Sequence, residues 1–244
     1  MAGLMTYNWF AKVYDDLMDD SLYEKWLDYT GKYIPKGEII LELGSGTGIL
    51  GLKLKESGYD ITGLDLSDEM LSLAYNRQRE AGLIFPLIQG DMRDLKDLPA
   101  YPNVICYSDA LCYMKDEEEL LAVFKEVYSK LEKEGMFLFD VHSIYQIEAF
   151  LSTSFHAETD GIVFLWDSFE GEAPYSVEHE LSFFVHSNDN CYDRYEETHK
   201  ERTYPLDMYK KLLQEAGFQK IEVSADFTEE VKTDSKRWFF ACTK

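Results

Sequence analysis

The chain is short of positive charge. It has 24 Lys and Arg against 46 Asp and Glu, a formal net charge of −22. Tight nucleic-acid binding needs basic side chains that displace counterions from phosphates, so this balance argues against nucleic acid as a partner. An anionic membrane surface is disfavoured for the same reason, and the surplus acid serves solubility instead. Cysteine is also scarce. Cys106, Cys112, Cys191 and Cys242 are scattered, with no C-x-x-C pair and no zinc-type spacing. Three of them fall in apolar or strand-like runs, where cysteine behaves as a small hydrophobe, and a reducing cytoplasm is the expected setting. No run approaches the ~20 apolar residues that cross a bilayer. The first twenty residues lack the basic-then-apolar order of a secretory signal. No repeat or low-complexity segment is evident.

What is present is enough for a core. Hydrophobic residues make up 45% of 244, which fits one large domain or one domain with an insertion. Residues 8 to 34 read as a helix, with Phe10, Val13, Tyr14 and Leu17 on one face, ended by Pro35 and Gly37. Then short apolar strands alternate with helical patterns: Ile39–Leu41, a helix from Thr47 to Ser57, Ile61–Leu64, a helix capped by Ser67, Pro86–Ile88, Val104–Cys106, a helix opened by Asp116 and Glu119 and ended by Gly135, and Met136–Phe139. The strands are apolar throughout, as parallel strands are when helices cover both faces of a sheet. Beyond residue 150 the pattern changes. Residues 160–168, 176–187 and 191–203 are strand-like, with a turn at 187–190 and no helix between them, so they should pair antiparallel. A helix from Pro205 to Gly217 and strands at 220–223 and 238–242 close the chain. The expected fold is α/β: a doubly wound, seven-stranded, mostly parallel sheet with an antiparallel β insertion after the fifth strand. The corresponding segments of one domain are a cofactor-binding core at 37–150, the insertion at 151–204 and a closing helix and strands at 205–244.

The stretch LELGSGTGILG, residues 41 to 51, supports two readings. Gly46-x-Gly48-x-x-Gly51 has the spacing of a dinucleotide loop. Glu42-x-Gly44-x-Gly46-x-Gly48 puts a carboxylate just ahead of the glycines, where it would repel a pyrophosphate and attract an ammonium or a sulfonium; alternatively it tunes the loop without touching ligand. Asp65, 19 residues past Gly46, can accept from both hydroxyls of a ribose, in a dinucleotide or an adenosyl ligand alike. At the end of the third strand, Asp91 can accept from an adenine amino group while the Met92 N–H donates to a ring nitrogen.

As a set, LELGSGTG (41–48), GLDLS (63–67), GDMRDL (90–95), VICYSDALCY (104–113), LEKEGMFLFDVHS (131–143) and EAGF (215–218) resemble the class I S-adenosylmethionine-dependent methyltransferases, in that family's order and spacing and over nearly the whole chain. The resemblance implies S-adenosyl-L-methionine as cofactor, S-adenosyl-L-homocysteine as product, and no metal. It implies that Gly44, Ser45, Gly46 and Gly48 form the cofactor loop with Glu42 behind it, that Asp65 holds the ribose beside Leu66, and that Asp91 and Met92 recognise adenine. Ser108 and Asp109 would face the methionine moiety, and Met70 either packs on adenine or belongs to the core. Glu134 stands where the family often has proline or glycine, a difference confined to a turn.

The insertion and its ETHKER run (197–202) look like methyltransferases of small amines and sugar amino groups, whose N-terminal helix carries tyrosines over the cofactor. Residues 1–36 would form such a helical lid, with Tyr7 and Tyr14 in the comparable place. His142, at the carboxyl end of the fifth strand, is the candidate base, or else a histidine that caps the strand end. Tyr7, Tyr113 and Tyr145 are candidate substrate contacts and Tyr14 a candidate for catalysis and cofactor contact. Phe10, Tyr107, Trp166, His179, His199 and Arg202 are further pocket candidates. The expected activity is methyl transfer to a small-molecule acceptor, on nitrogen in the first instance, by a monomer or homodimer. Alternatives are a cofactor-binding module without catalysis, a tRNA-modifying methyltransferase and a nicotinamide-dependent oxidoreductase.

Overall fold

A computed structural model describes residues 11, 20–151, 153–159, 161–187 and 191–244. Tyr7, Phe10, Tyr14 and most of the turn expected at 187–190 lie outside these residues. Helix α1 (Asp20–Tyr33) precedes β1 (Ile39–Leu43), α2 (Ile49–Glu56), β2 (Asp60–Asp65), α3 (Asp68–Ala81), β3 (Leu87–Gln89) and β4 (Tyr101–Cys106). A 3-10 turn at Ala110–Tyr113 leads to α4 (Glu117–Lys130), β5 (Leu131–His142) and α5 (Ile144–Phe150). Then come β6 (Ser154–Thr159), β7 (Ile162–Glu170), β8 (Ser176–His186), β9 (Tyr192–Arg202), α6 (Leu206–Ala216), β10 (Lys220–Ala225) and β11 (Arg237–Thr243).

Seven strands form one sheet in the order β3-β2-β1-β4-β5-β11-β10. The first five are parallel, and β11 runs antiparallel to both of its neighbours. Alternate residues serve opposite faces. Val104, Cys106, Phe137, Phe139 and Phe240 join the apolar stripes of α4 (Leu120, Val123, Phe124, Val127) and α6 (Tyr209, Leu212, Leu213). Ile105, Leu138, Phe239 and Ala241 face Tyr23, Trp26 and Tyr29 of α1 and Leu50, Leu52 and Leu54 of α2. Burial on both faces is why these strands read as unbroken apolar runs. Trp26 is wholly buried, so residues 20–33 of the segment expected as a lid are a structural layer of the core.

Local chemistry sets the boundaries. Ser67 accepts from the Met70 N–H, and Asp116 from the Glu119 N–H, each capping a helix start. The Glu119 carboxylate returns to the Lys115 N–H, one residue ahead of the cap. Helix α4 ends at Lys130 rather than at Gly135. The chain then enters β5 through an irregularity in which Glu134 adopts φ +62°. A Cβ on Gly135 would lie 2.7 Å from the Pro102 carbonyl oxygen, so the glycine permits close backbone approach rather than ending a helix.

The insertion is a four-stranded antiparallel sheet, β6-β7-β8-β9, with α5 leading into it. The sequence indicates three strands there. β6 escapes notice because its residues are mostly exposed and SFHAET lacks an apolar pattern. Phe164, Leu181 and Phe183 on the inner face cluster with Ala11 and with Met70 of α3, which fixes the insertion above the carboxyl edge of the main sheet.

Candidate active site

Beneath the insertion, at the carboxyl ends of β1, β2, β4 and β5, is a cavity of about 450 Å³, within the range for small-molecule sites. Gly44, Gly46, Asp65, Leu66, Met70, Asp91, Met92, Ser108 and Asp109 all border it. Glu42 and Ser45 instead line a second, much smaller cavity behind the loop, shared with Gly44 and Gly46. Gly48 lines neither. Its φ is +77°, and a Cβ there would lie 2.8 Å from that of Ala74. Gly51 packs similarly: a Cβ would meet Glu42 Oε2 and the Phe85 ring, both at 2.8 Å. The second and third glycines of the dinucleotide-like spacing thus serve helix packing. A Cβ on Gly46 would meet no protein atom within 4 Å, so open space borders the loop at that point.

The Asp65 carboxylate shapes the loop. Its Oδ2 accepts from the Gly46 N–H at 2.7 Å and its Oδ1 from the Ser67 N–H at 2.9 Å. Burial raises its pKa, and these hydrogen bonds oppose the rise. Glu42 is buried with Oε2 unpartnered. Burial first, and then the neighbouring Asp65 charge, push its carboxyl up to about 8. A carboxyl so desolvated favours its neutral form, and it backs the glycine loop as a buried polar group rather than as a charge.

Asp91 is more engaged than the sequence indicates. Its oxygens accept from Arg93 Nε at 3.0 Å, Nη2 at 2.6 Å and the Arg93 N–H at 2.8 Å, and Arg93 in turn reaches Glu119. The Arg93 hydrogen bonds hold the Asp91 carboxyl below the usual carboxylate range. Only lone pairs left over from Arg93 can face an adenine amino group. Leu66 is 61% exposed at the rim, and the thioether of Met70 is buried between the cavity and the insertion.

The opposite wall is charged. Ser108 and Asp109 both adopt left-handed backbone, φ 55° and 53°, uncommon for such residues and frequent at functional sites. Arg237 Nη1 pairs with Asp109 Oδ1 and lies 2.8 Å from Asp140 Oδ2, which also accepts from Trp26 Nε1 at 2.9 Å. Burial raises the Asp109 carboxyl, but Arg237 and His142 outweigh it and hold the group low. Burial leaves Asp140 raised despite Arg237. His142 Nε2 is 3.2 Å from Asp109 Oδ2 and 3.5 Å from Glu201 Oε2. Asp109, His142 and Glu201 offer ligand atoms within 4.8 Å of one another. The guanidinium already neutralising Asp109 makes this a poor cation site.

Of the other candidates, Tyr107, Tyr113 and Trp166 border the cavity, and the Tyr113 hydroxyl is 3.1 Å from His199 Nδ1. His179 and His199 are buried beside the cavity wall. Tyr145 is 43% exposed on α5 and is not part of the wall, so it is no substrate contact in this structure. Arg202 stacks on Tyr204 and donates to backbone carbonyls of Pro174 and Lys115, away from the cavity. Sequence reasoning missed Arg93, Glu201 and Arg237. Glu201 lies in ETHKER, where inward alternation on β9 singles out Glu197, His199 and Glu201 once the strand is known. Nothing local marks Arg237, which arrives from the last strand.

Comparison with known proteins is decisive on ancestry. "Putative methyltransferase YqeM" of Bacillus subtilis (strain 168) is 39% identical over 243 residues, covering 98% of both chains. The chain belongs to the class I S-adenosylmethionine-dependent methyltransferases. Residues 40–135 match the family described as a methyltransferase domain. The crystal structure of an S-adenosylmethionine-dependent methyltransferase from Clostridium acetobutylicum ATCC 824 superposes with a TM-score of 0.83 at 26% identity, over 97% of this chain and 98% of that one. A glycine/sarcosine N-methyltransferase of Halorhodospira halochloris is 28% identical over 89% of this chain and 80% of its own. Membership of this family sets aside the nicotinamide-dependent oxidoreductase reading of the loop. Among the described residues, no helix is long and apolar enough to cross a membrane.

Proposed function

We propose that this methyltransferase alkylates the nitrogen of a small amine. The observation that carries the reading is the charged wall facing the loop. Among the described residues, Asp65, Asp91, Asp109, Glu119 and Glu201 border the cavity against Arg93 and Arg237, a surplus that attracts cations. The relative named for glycine and sarcosine supports nitrogen as the nucleophile. The four free cysteines support a reducing, cytoplasmic setting.

When bound, S-adenosylmethionine supplies a methyl group already activated by its sulfonium. The protein's own tasks are then orientation and exclusion of water. Asp65, with its two backbone donors, would hold ribose hydroxyls on its remaining lone pairs. Leu66 and Met70 would enclose the base, Asp91 and the Met92 N–H would read its edge, and Glu42 would back the loop behind Gly44 and Gly46. Ser108 and Asp109 would face the methionine end, next to the wall where Tyr113 and Trp166 bound the acceptor.

Calorimetry with S-adenosylhomocysteine tests the cofactor half. Asp65→Ala should weaken binding at least tenfold, ~1.4 kcal/mol, and Asp91→Ala should also weaken it. Unchanged affinity in both would refute this placement. A screen of amines and alcohols with methyl-tritiated cofactor tests the other half: label entering alcohols alone would reject nitrogen, and no label in any acceptor would favour a binding module.

A further inference from the structure

Asp91, Arg93 and Glu119 border the cavity beyond β3 and form one polar chain. The Arg93 N–H donates to Asp91 Oδ1 at 2.8 Å, Nη2 donates to Oδ2 at 2.6 Å, and the single Nε–H is shared, 3.0 Å from each oxygen. Nη1 turns the other way, to Glu119 Oε1 at 2.5 Å in the first turn of α4. Glu119 is fixed in its turn. Its Oε2 accepts from the Lys115 N–H at 3.1 Å, and its own N–H donates to the Asp116 cap at 2.9 Å. The Asp94 N–H closes a turn on the Asp91 carbonyl oxygen at 2.9 Å. One guanidinium thus ties the loop after β3 both to itself and to α4.

Counting lone pairs shows what the tie does to Asp91. An ionised carboxylate offers about four acceptor positions. Three hydrogens of Arg93 fill all but one of them. The planar fork also fixes the plane of the carboxylate, which a point charge such as an ammonium would not do. Asp91 is left with a single, directed acceptor position, and it stays in the form that accepts and cannot donate. The two side chains are 37% and 31% exposed, and an ion pair in that setting adds little to stability. A staple of the fold therefore does not account for the arrangement.

We propose that Arg93 is a positioning residue for base recognition: it aims the one open acceptor position of Asp91 at an exocyclic amino group, and so selects adenine over purines that lack one. The inference rests on the placement of the base against Asp91 and Met92 given above, and it assigns the selectivity of that contact to a further residue. An amino group brings a hydrogen to the open position. A purine with only hydrogen at C6 brings none, and it covers the carboxylate while leaving its last acceptor unmet, which is the costly case. Without the fork Asp91 is free to rotate, and the amino group loses its fixed partner. Glu119 steadies Arg93 from the side of α4.

Calorimetry on the full chain compares S-adenosylhomocysteine with its 6-deamino counterpart, in which purine replaces adenine and the ring nitrogens are unchanged. The wild type should prefer the adenine ligand about tenfold. Arg93→Met should bring the preference to within about twofold, by weakening S-adenosylhomocysteine while the purine ligand binds nearly as before. Arg93→Lys keeps the charge without the fork and should retain only part of the preference, which serves the test even where the methionine variant misfolds. A preference that survives Arg93→Met, or stays whole in Arg93→Lys, overturns the inference. So does an equal loss for both ligands, which marks Arg93 as structural only. Asp91→Ala separates the inference from the placement beneath it. A preference absent from the wild type, or persisting in Asp91→Ala, strikes the placement of the base. One lost in Asp91→Ala but kept in Arg93→Met strikes Arg93 alone.

Discussion

The seven-stranded sheet is built on Ile40, Leu41, Val104 and Ile105, all wholly buried hydrocarbon, whereas the inner face of the four-stranded sheet buries His179, Glu197, His199 and Glu201 beside Phe164 and Phe183. One sheet is a largely apolar scaffold, with Glu42 and Asn103 buried within it and Asp140 and His142 at its carboxyl edge. The other brings ionisable groups down onto that edge. Buried polar groups stabilise little unless fully paired, and hydrophobic replacement often does better. The contrast is one of composition: the first sheet is mostly buried hydrocarbon, and the second adds ionisable groups above the cavity.

The largest expected effect probes the polar seam at the carboxyl edge of the scaffold. Arg237→Met strands Asp109 and Asp140 as buried, uncompensated carboxylates, and should cost about 3–5 kcal/mol in urea unfolding at neutral pH. A loss below about 1 kcal/mol would mean that the seam is hydrated and the contrast overstated.

Next comes Glu42, the acid buried within the scaffold. Because folding raises its pKa from 4.5 to about 8, the native state binds this proton more tightly than the unfolded chain does. Stability contributed by the protonated form is complete below 4.5 and is lost as pH rises toward about 8. Glu42→Gln removes that dependence. Its stability relative to wild type should rise across the window by on the order of a few kcal/mol, read from urea midpoints at pH 5 and 8.5. A pH-independent difference would show that the carboxyl is not desolvated.

A smaller effect of opposite meaning is expected inside the insertion. Glu197→Leu with His199→Phe should leave stability unchanged or raise it by about 1 kcal/mol while impairing turnover of whatever amine the screen identifies. A large destabilisation would reclassify these residues as structural. The smallest effect belongs to the outer face of the same sheet. There the exposed Arg194–Glu196 pair should be worth under about 0.5 kcal/mol, so Arg194→Ala should barely move the thermal midpoint.

The scaffold was legible because its signals are local. Unbroken apolar runs mark β1 and β4, Ser67 and Asp116 mark helix starts, and the acids at 65 and 91 mark the crests of β2 and β3. The residues that border the cavity at those crests followed, since the family's motifs lie on consecutive strands and turns. The opposite wall was legible only in part, for a physical reason. Arg237, Glu201 and His142 come from β11, β9 and β5, and only tertiary packing makes them neighbours. Arg93 was hidden differently: its pairing with Asp91 is local, but two residues in a loop can face each other or not, and sequence does not choose. Tyr145 shows the converse: it stands close to His142 in sequence, yet the turn of α5 carries it to the surface.

Ser108 and Asp109 have a consequence for how the pocket meets its ligands. Two successive residues locked in a left-handed twist, one of them anchored through Asp140 and Arg237, give the crest of β4 a single shape before anything arrives. The conformational freedom surrendered there is surrendered while the chain folds, so little is left to lose on binding, and both guests find a mould rather than a loop that has yet to set.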